Sequence, residues 1–152
     1  MVVSGGTVPG AAVSDTWELS LPGTPAWAGI ASQRPIEAGQ SSIAIYDTIE
    51  DRMIVFGGMD DSTVPHNETW ALSQSGLPTW SQLSPSGNPP PARYEHAAVY
   101  DPVRDRIIVL GGLDSNGNDL QDTWASTTRR PAKPRIMSST SGQPDRAQSR
   151  GR

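Results

Sequence analysis

The 152-residue sequence contains no cysteine. That removes disulfides, thiolate metal sites and cysteine nucleophiles. It leaves the compartment open, because secreted repeat proteins also do without disulfides. No apolar run approaches the ~18 residues that cross a bilayer as a helix. No basic segment leads into an apolar one at the N-terminus, so neither a membrane span nor a secretory signal is expected. No window sustains a 3.6-residue apolar period, so little or no helix is expected. Also absent are a Gly-x-Ser-x-Gly elbow, a phosphate loop and any carboxylate pair that can be tied to a cleft. Catalysis by this chain alone is not expected, and neither is a cofactor.

What is abundant is chain-breaking residues: 15 Gly and 14 Pro, with many Ser and Thr, cut the sequence into short pieces. Strands joined by turns are the natural reading of such a pattern. The length suits one modest domain, or a few repeats of a larger one. The net charge of −4 conceals an asymmetry. Residues 1–126 hold fifteen acids against five arginines, whereas residues 127–152 hold seven basic residues and only Asp145. The acidic body is expected to repel nucleic acid and anionic membranes, and the basic tail to attract both weakly.

The chain is built around a repeat. Tyr100-Asp101-Pro102-Val103-Arg104-Asp105-Arg106-Ile107-Ile108-Val109-Leu110-Gly111-Gly112 follows a close copy that starts at Tyr46. Between residues 46–60 and 100–114, nine of fifteen positions are identical without a gap. Met1-Val2-Val3-Ser4-Gly5-Gly6 is a truncated third copy, at a shift of 52. A second marker follows each Gly-Gly: Asp15-Thr16-Trp17, Glu68-Thr69-Trp70 and Asp122-Thr123-Trp124, at intervals of 53 and 54. Trp27 and Trp80 each lie ten residues past such a marker, so all five tryptophans sit on the repeat. Each period holds four strand-like pieces, near residues 42–46, 52–56, 69–73 and 79–83 in the best copy. The second is apolar at successive positions, which suits a strand covered on both faces.

This pattern resembles a kelch-repeat β-propeller, particularly bacterial kelch-like and galactose-oxidase-like repeats. The residues that carry the resemblance are the Gly57-Gly58 and Gly111-Gly112 doublets, Tyr46-Asp47, Tyr100-Asp101, Trp70, Trp80 and Trp124. It implies an all-β fold of four-stranded antiparallel blades, about two and a third of them. Residues 1–38 would be a partial blade, 39–91 a complete one and 92–126 a second partial one, within a repeat region of 1–126. A closed propeller of this kind has about six or seven blades, on the order of 300 residues or more, so a piece of a longer propeller is expected. After Trp124 the repeat calls for a tryptophan near position 134, where Pro134 stands. Residues 127–152 are rich in Ser, Pro, Gln, Arg and Gly and are expected to be a disordered basic tail.

The chemistry-bearing residues have plain readings. His66 and His96 occupy different repeat positions, and a metal site joining them to Asp60, Asp61 or Asp114 lacks ligand spacing; solvent-facing loop or strand-start histidines are expected, and no metal. Asp114-Ser115-Asn116-Gly117-Asn118-Asp119 looks like a calcium loop but lacks Gly at the sixth place and Glu at the twelfth, so a polar turn is the better reading. Asp51-Arg52 and Asp105-Arg106 recur in register and read as hairpin-end pairs. The tryptophans, also readable as a sugar platform, are expected mostly to pack between blades. Arg93-Tyr94-Glu95-His96 is the one polar-aromatic cluster. The resemblance makes Arg93 and His96 common motif positions, structural in the family.

Ligand-binding candidates are therefore Arg93, Tyr94, His96, Asp114 and Asn116. The expected function is a non-catalytic interaction module that binds protein or glycan through loops 58–67 and 112–121. The alternative is a piece of a carbohydrate-active, galactose-oxidase-like enzyme whose catalytic residues lie elsewhere. No specific nucleic-acid partner is expected. Self-association through open blade edges is.

Overall fold

The computed structural model of the chain describes residues 1–9, 11–30 and 40–127. The described residues contain ten strands and no helix. They are β1 (Val2–Val8), β2 (Ala11–Ser20), β3 (Ala26–Gly29), β4 (Ile43–Asp47), β5 (Arg52–Phe56), β6 (Thr69–Ser73), β7 (Trp80–Leu83), β8 (Ala97–Asp101), β9 (Arg106–Leu110) and β10 (Thr123–Thr127). All pairings are antiparallel. They form three sheets, in the orders β1-β2-β3, β4-β5-β6-β7 and β10-β9-β8, none of them closed into a barrel. The all-β class and the four strands of the complete central repeat are as the sequence implies.

The sheets are meanders, because each strand pairs with its neighbour in sequence. β4 and β5 are joined by residues 48–51, and Asp47 nucleates that turn. Its Oδ1 accepts from the backbone N–H groups of Ile49 (3.0 Å) and Glu50 (3.2 Å). Asp51 then takes a φ of 50°, and Asp105 repeats it in the third sheet. Aspartate tolerates this left-handed conformation better than most residues.

β5 explains how the sheets stack. Its alternate side chains point to opposite faces, and all five of its residues are buried. Ile54 and Phe56 pack with Ala71 against Ile107 and Val109 of the third sheet. Met53 and Val55 pack with Leu72 and Trp80, and Val2 and Ile30 of the first-sheet region lie against them. The second sheet is thus a filling between two neighbours, and β4 runs alongside β8. Full burial of each large apolar side chain here is worth roughly 1.5–3 kcal/mol, so the repeat's stability lies between sheets rather than within them.

Three expectations need correction. β1 and β2 run on through Gly5 and Gly6, with a register shift between Ser4 and Gly6, where the other sheets have a polar loop. Where those loops carry Asp60 and Asp114, this copy has Val8, so no turn-forming carboxylate interrupts the hairpin. Trp17 and Trp27 do not pack between sheets. They are 43% and 52% exposed, whereas Trp80 is 8% exposed, because no described sheet covers that side of β2 and β3. The Asp-Arg dipeptides stand at hairpin ends, with Asp51 and Asp105 in the turn at a φ of 50° each. Arg52 Nε donates to Asp47 Oδ2 at 2.9 Å and Arg106 Nε to Asp101 Oδ2 at 3.1 Å, since hairpin register sets residue 47 opposite residue 52. Thr127, assigned to the tail, closes β10 opposite Arg106. The rest of the tail reading, residues 31–38 of the first partial repeat and residue 39 of the complete one lie outside the described residues.

Candidate functional site

The two long loops leave the same ends of their sheets, since both join the equivalent of β5 to that of β6. Each is organised by one aspartate. Asp60 Oδ1 accepts from the N–H of Ser62 (2.9 Å) and Val64 (2.8 Å). Asp114 Oδ1 accepts from the N–H of Asn116 (2.8 Å) and Asn118 (2.9 Å), while its Oδ2 takes the Asn118 side-chain amide at 3.0 Å. These bonds favour the charged carboxylates. Asp60 is held below the usual range chiefly by the Val64 N–H, and Asp114 chiefly by the Asn118 side chain. The Asp114 oxygens therefore shape a turn, and the exposed loop tip at residues 115–119 carries what a partner would meet. Among the described residues, no three His, Asp or Glu side chains gather as a metal site.

Segment 91–96 runs between the two loops and touches both. Arg93 N–H donates to His66 O (3.1 Å), and Arg93 O accepts from Gly58 N–H (3.0 Å). On the other side, Tyr94 and Leu113 exchange backbone bonds of 3.2 and 2.9 Å. The doublet glycines make these approaches sterically feasible. A Cβ on Gly57 would stand 2.7 Å from Arg93 O, and one on Gly112 would stand 2.7 Å from Tyr94 O.

Arg93 itself is fully buried. Its guanidinium grips Asp122 through Nη1 (2.7 Å) and Nη2 (2.9 Å), and also donates to Gly111 O (2.8 Å) and Pro91 O (3.1 Å). Asp122 additionally accepts from Trp124 Nε1 at 2.6 Å. Arg93, followed by Trp124 and opposed by burial, holds the Asp122 carboxyl far below the ordinary range. Charge-assisted, two-pronged bonds of this kind are the strong ones, and here they tie the entry of β8 to the entry of β10.

His96 is buried rather than solvent-facing, correcting that part of the sequence reading. Its ring meets Phe56 of the second sheet edge-on, 5.3 Å between centroids, and neither ring nitrogen has a hydrogen-bond partner among the described residues. Burial, and secondly the charge of Arg93, lower its pKa to about 4. Neutral imidazole is therefore its form at physiological pH. His66, by contrast, stands between two carboxylates, with Nε2 3.1 Å from Asp60 Oδ2 and Nδ1 3.3 Å from Glu68 Oε2.

The five candidates thus cluster at one end of the third sheet. Arg93 and His96 are inside it, Tyr94 is half-buried beside Leu113, and Asp114 and Asn116 lie on the loop. The sequence reading missed the contact between Tyr100 and Asp47 across sheets. Tyr100 Oη faces the carboxylates of Asp105 (Oδ1 at 2.9 Å) and Asp47, which share its single proton. The recurring Tyr-Asp dipeptide was its signal. Tyr46, its counterpart, donates to Asp51 of its own hairpin.

No protein-family model matches the chain. Among the proteins that share sequence with it are two much longer ones. A dynein regulatory complex subunit 7 of Chlamydomonas reinhardtii is 32% identical over 75 residues, 47% of this chain and 6% of that protein. A Rho GTPase-activating protein, gacHH, of Dictyostelium discoideum is 34% identical over 94 residues, 59% of this chain and 6% of that protein. The chain therefore spans a small part of the length of either relative.

Proposed function

We propose that this chain is a kelch-type propeller segment acting as a non-catalytic interaction module, one that binds a protein or glycan through loops 58–67 and 112–121. The observation that carries the reading is the construction of the loop end. Asp60 and Asp114 lock two loops from within, and segment 91–96 stitches them together by backbone bonds. Their tips project at residues 61–64 and 115–119, which are exposed. Loops held rigidly at their bases and varied at their tips are the usual way a repeat scaffold presents a binding surface. The buried, saturated Arg93 supports a scaffold role for that residue, with the tips and Tyr94 left for contact. Self-association through the open sheets accompanies this reading.

The test is to screen the full chain on glycan and protein arrays beside a variant whose tips, residues 61–63 and 115–117, are exchanged for Gly-Ser-Gly. Asp60 and Asp114 are left in place. A ligand that loses at least tenfold affinity with the exchanged tips is the expected result. A ligand indifferent to both tips, or no ligand on either array, overturns the reading.

A further inference from the structure

Among the described residues, the first and third sheets each leave one apolar face uncovered, and the two faces differ. On the first sheet Val3, Trp17, Leu19 and Trp27 project from one side, because Val3 pairs with Trp17 and Leu19 with Trp27. Directly opposed residues of an antiparallel pair share a face. On the third sheet Val99, Ile108 and Ala125 lie across from one another, and Leu110 continues their face. Val3 is 46% exposed, Val99 51% and Leu110 42%.

Both faces have counterparts that are already mated inside the chain. Ile45, Ile54, Phe56 and Ala71 stand 54 residues before Val99, Ile108, Leu110 and Ala125. They form the second sheet's side of its contact with the third. The third sheet answers with Val109 and Trp124, which occupy the repeat positions of Val3 and Trp17. One chain therefore displays, at opposite ends, both halves of an interface that it also contains assembled.

We propose that a second copy of this chain lays the Val99–Ile108–Leu110 side of its third sheet on the Val3–Trp17–Trp27 side of the first sheet. Copies then join head to tail through a repetition of the internal sheet-on-sheet contact. Because the two faces are unlike, the contact is heterologous: it propagates from copy to copy and does not stop at a two-fold dimer. The inference concerns the sheet faces and does not depend on what the loops bind.

Sedimentation velocity on the full 152-residue chain tests it, using one variant for each face. The unmodified chain should show an average mass that climbs with concentration above the 16.2 kDa of one copy. Leu110→Asp alone, and Val3→Asp alone, should each stay monomeric. Mixed in equal amounts, the two should form pairs and nothing larger, since one intact face of each kind remains. Circular dichroism matching the unmodified chain establishes that each variant folds. Where it does not match, Val99→Asp and Trp17→Lys, also at half-exposed positions, repeat the test. A monomeric unmodified chain up to its solubility limit, self-association of a singly blocked variant, or a mixture that stays monomeric overturns the proposal.

Discussion

Arg93 and Asp122 meet in two parallel hydrogen bonds of 2.7 and 2.9 Å, although 29 residues separate them in sequence. The arginine is fully buried, and the aspartate side chain is 37% exposed. Arg93→Ala should therefore cost less than the 3–5 kcal/mol typical of a broken buried pair, about 2–3 kcal/mol, because water can reach the abandoned carboxylate. Arg93→Lys should recover only part of this, since an ammonium cannot make the two-pronged contact. Urea denaturation at neutral pH measures both. Asp122 has a depressed folded pKa, so the pair's stabilisation is present above the ordinary carboxyl range near pH 4 and is lost as pH falls through the folded value. The alanine variant should show a correspondingly shallower acid limb.

His96 gives a second, separable pH dependence. The folded imidazole takes up its proton near pH 4, whereas an unfolded one does so near 6.5. The unfolded chain thus binds the extra proton between those values, and stability falls as pH drops from about 6.5 to 4, by roughly 2–3 kcal/mol. Above that window the effect is flat. His96→Leu should remove this slope, measured as the urea midpoint against pH.

Two glycines with left-handed backbones should respond differently to alanine. Gly76 has a φ of 74° and nothing within 4 Å of a new Cβ, so Gly76→Ala should cost about 1–2 kcal/mol from conformation alone. Gly112 has a φ of 96°, and its Cβ would meet Tyr94 O at 2.7 Å and the His96 Cβ at 2.8 Å. Gly112→Ala should cost at least twice as much, because the obstructing atoms include backbone of the segment that stitches the loops. Thermal melts of the two variants side by side check this.

Tyr100→Phe removes a hydroxyl that burial and the carboxylates of Asp47 and Asp105 hold un-ionised well above the usual tyrosine range. It should cost about 1 kcal/mol and loosen the second sheet from the third. Tyr46→Phe should cost less, as Tyr46 is half-exposed and its hydroxyl donates to Asp51 of its own hairpin. Amide hydrogen exchange across β4 distinguishes them: Tyr100→Phe should raise exchange there, and Tyr46→Phe should leave it nearly unchanged.

Much of the fold was legible because repetition doubles the signal. The apolar run Met53-Ile54-Val55-Phe56 read as a strand covered on both faces, and β5 is buried along its whole length. What failed was whatever depends on neighbours rather than on pattern. Trp17 and Trp80 obey the same period, yet burial depends on whether a sheet lies across from each. Asp51-Arg52 was legible as a hairpin end, but the partner of Arg52 was not, because hairpin register sets it as Asp47. At the loop end, Arg93 and Asp122 were each visible as residues. Their bond was not, because the repeat offers no second example: position 39, equivalent to Arg93, is Gly39.

The equivalence of residues 46–60 and 100–114 has a genetic corollary. Both stretches hold the same place in their hairpins, and Met53 and Val55 face the first sheet as Ile107 and Val109 face the second. Unequal crossing-over between the DNA encoding them keeps the reading frame and inserts or deletes 54 codons, one whole sheet. Each junction in the recombinant again turns the Met53–Val55 or Ile107–Val109 face of one sheet toward the sheet before it. A gene so constructed can change its number of sheets in a single event, leaving point mutation to reshape the loop tips.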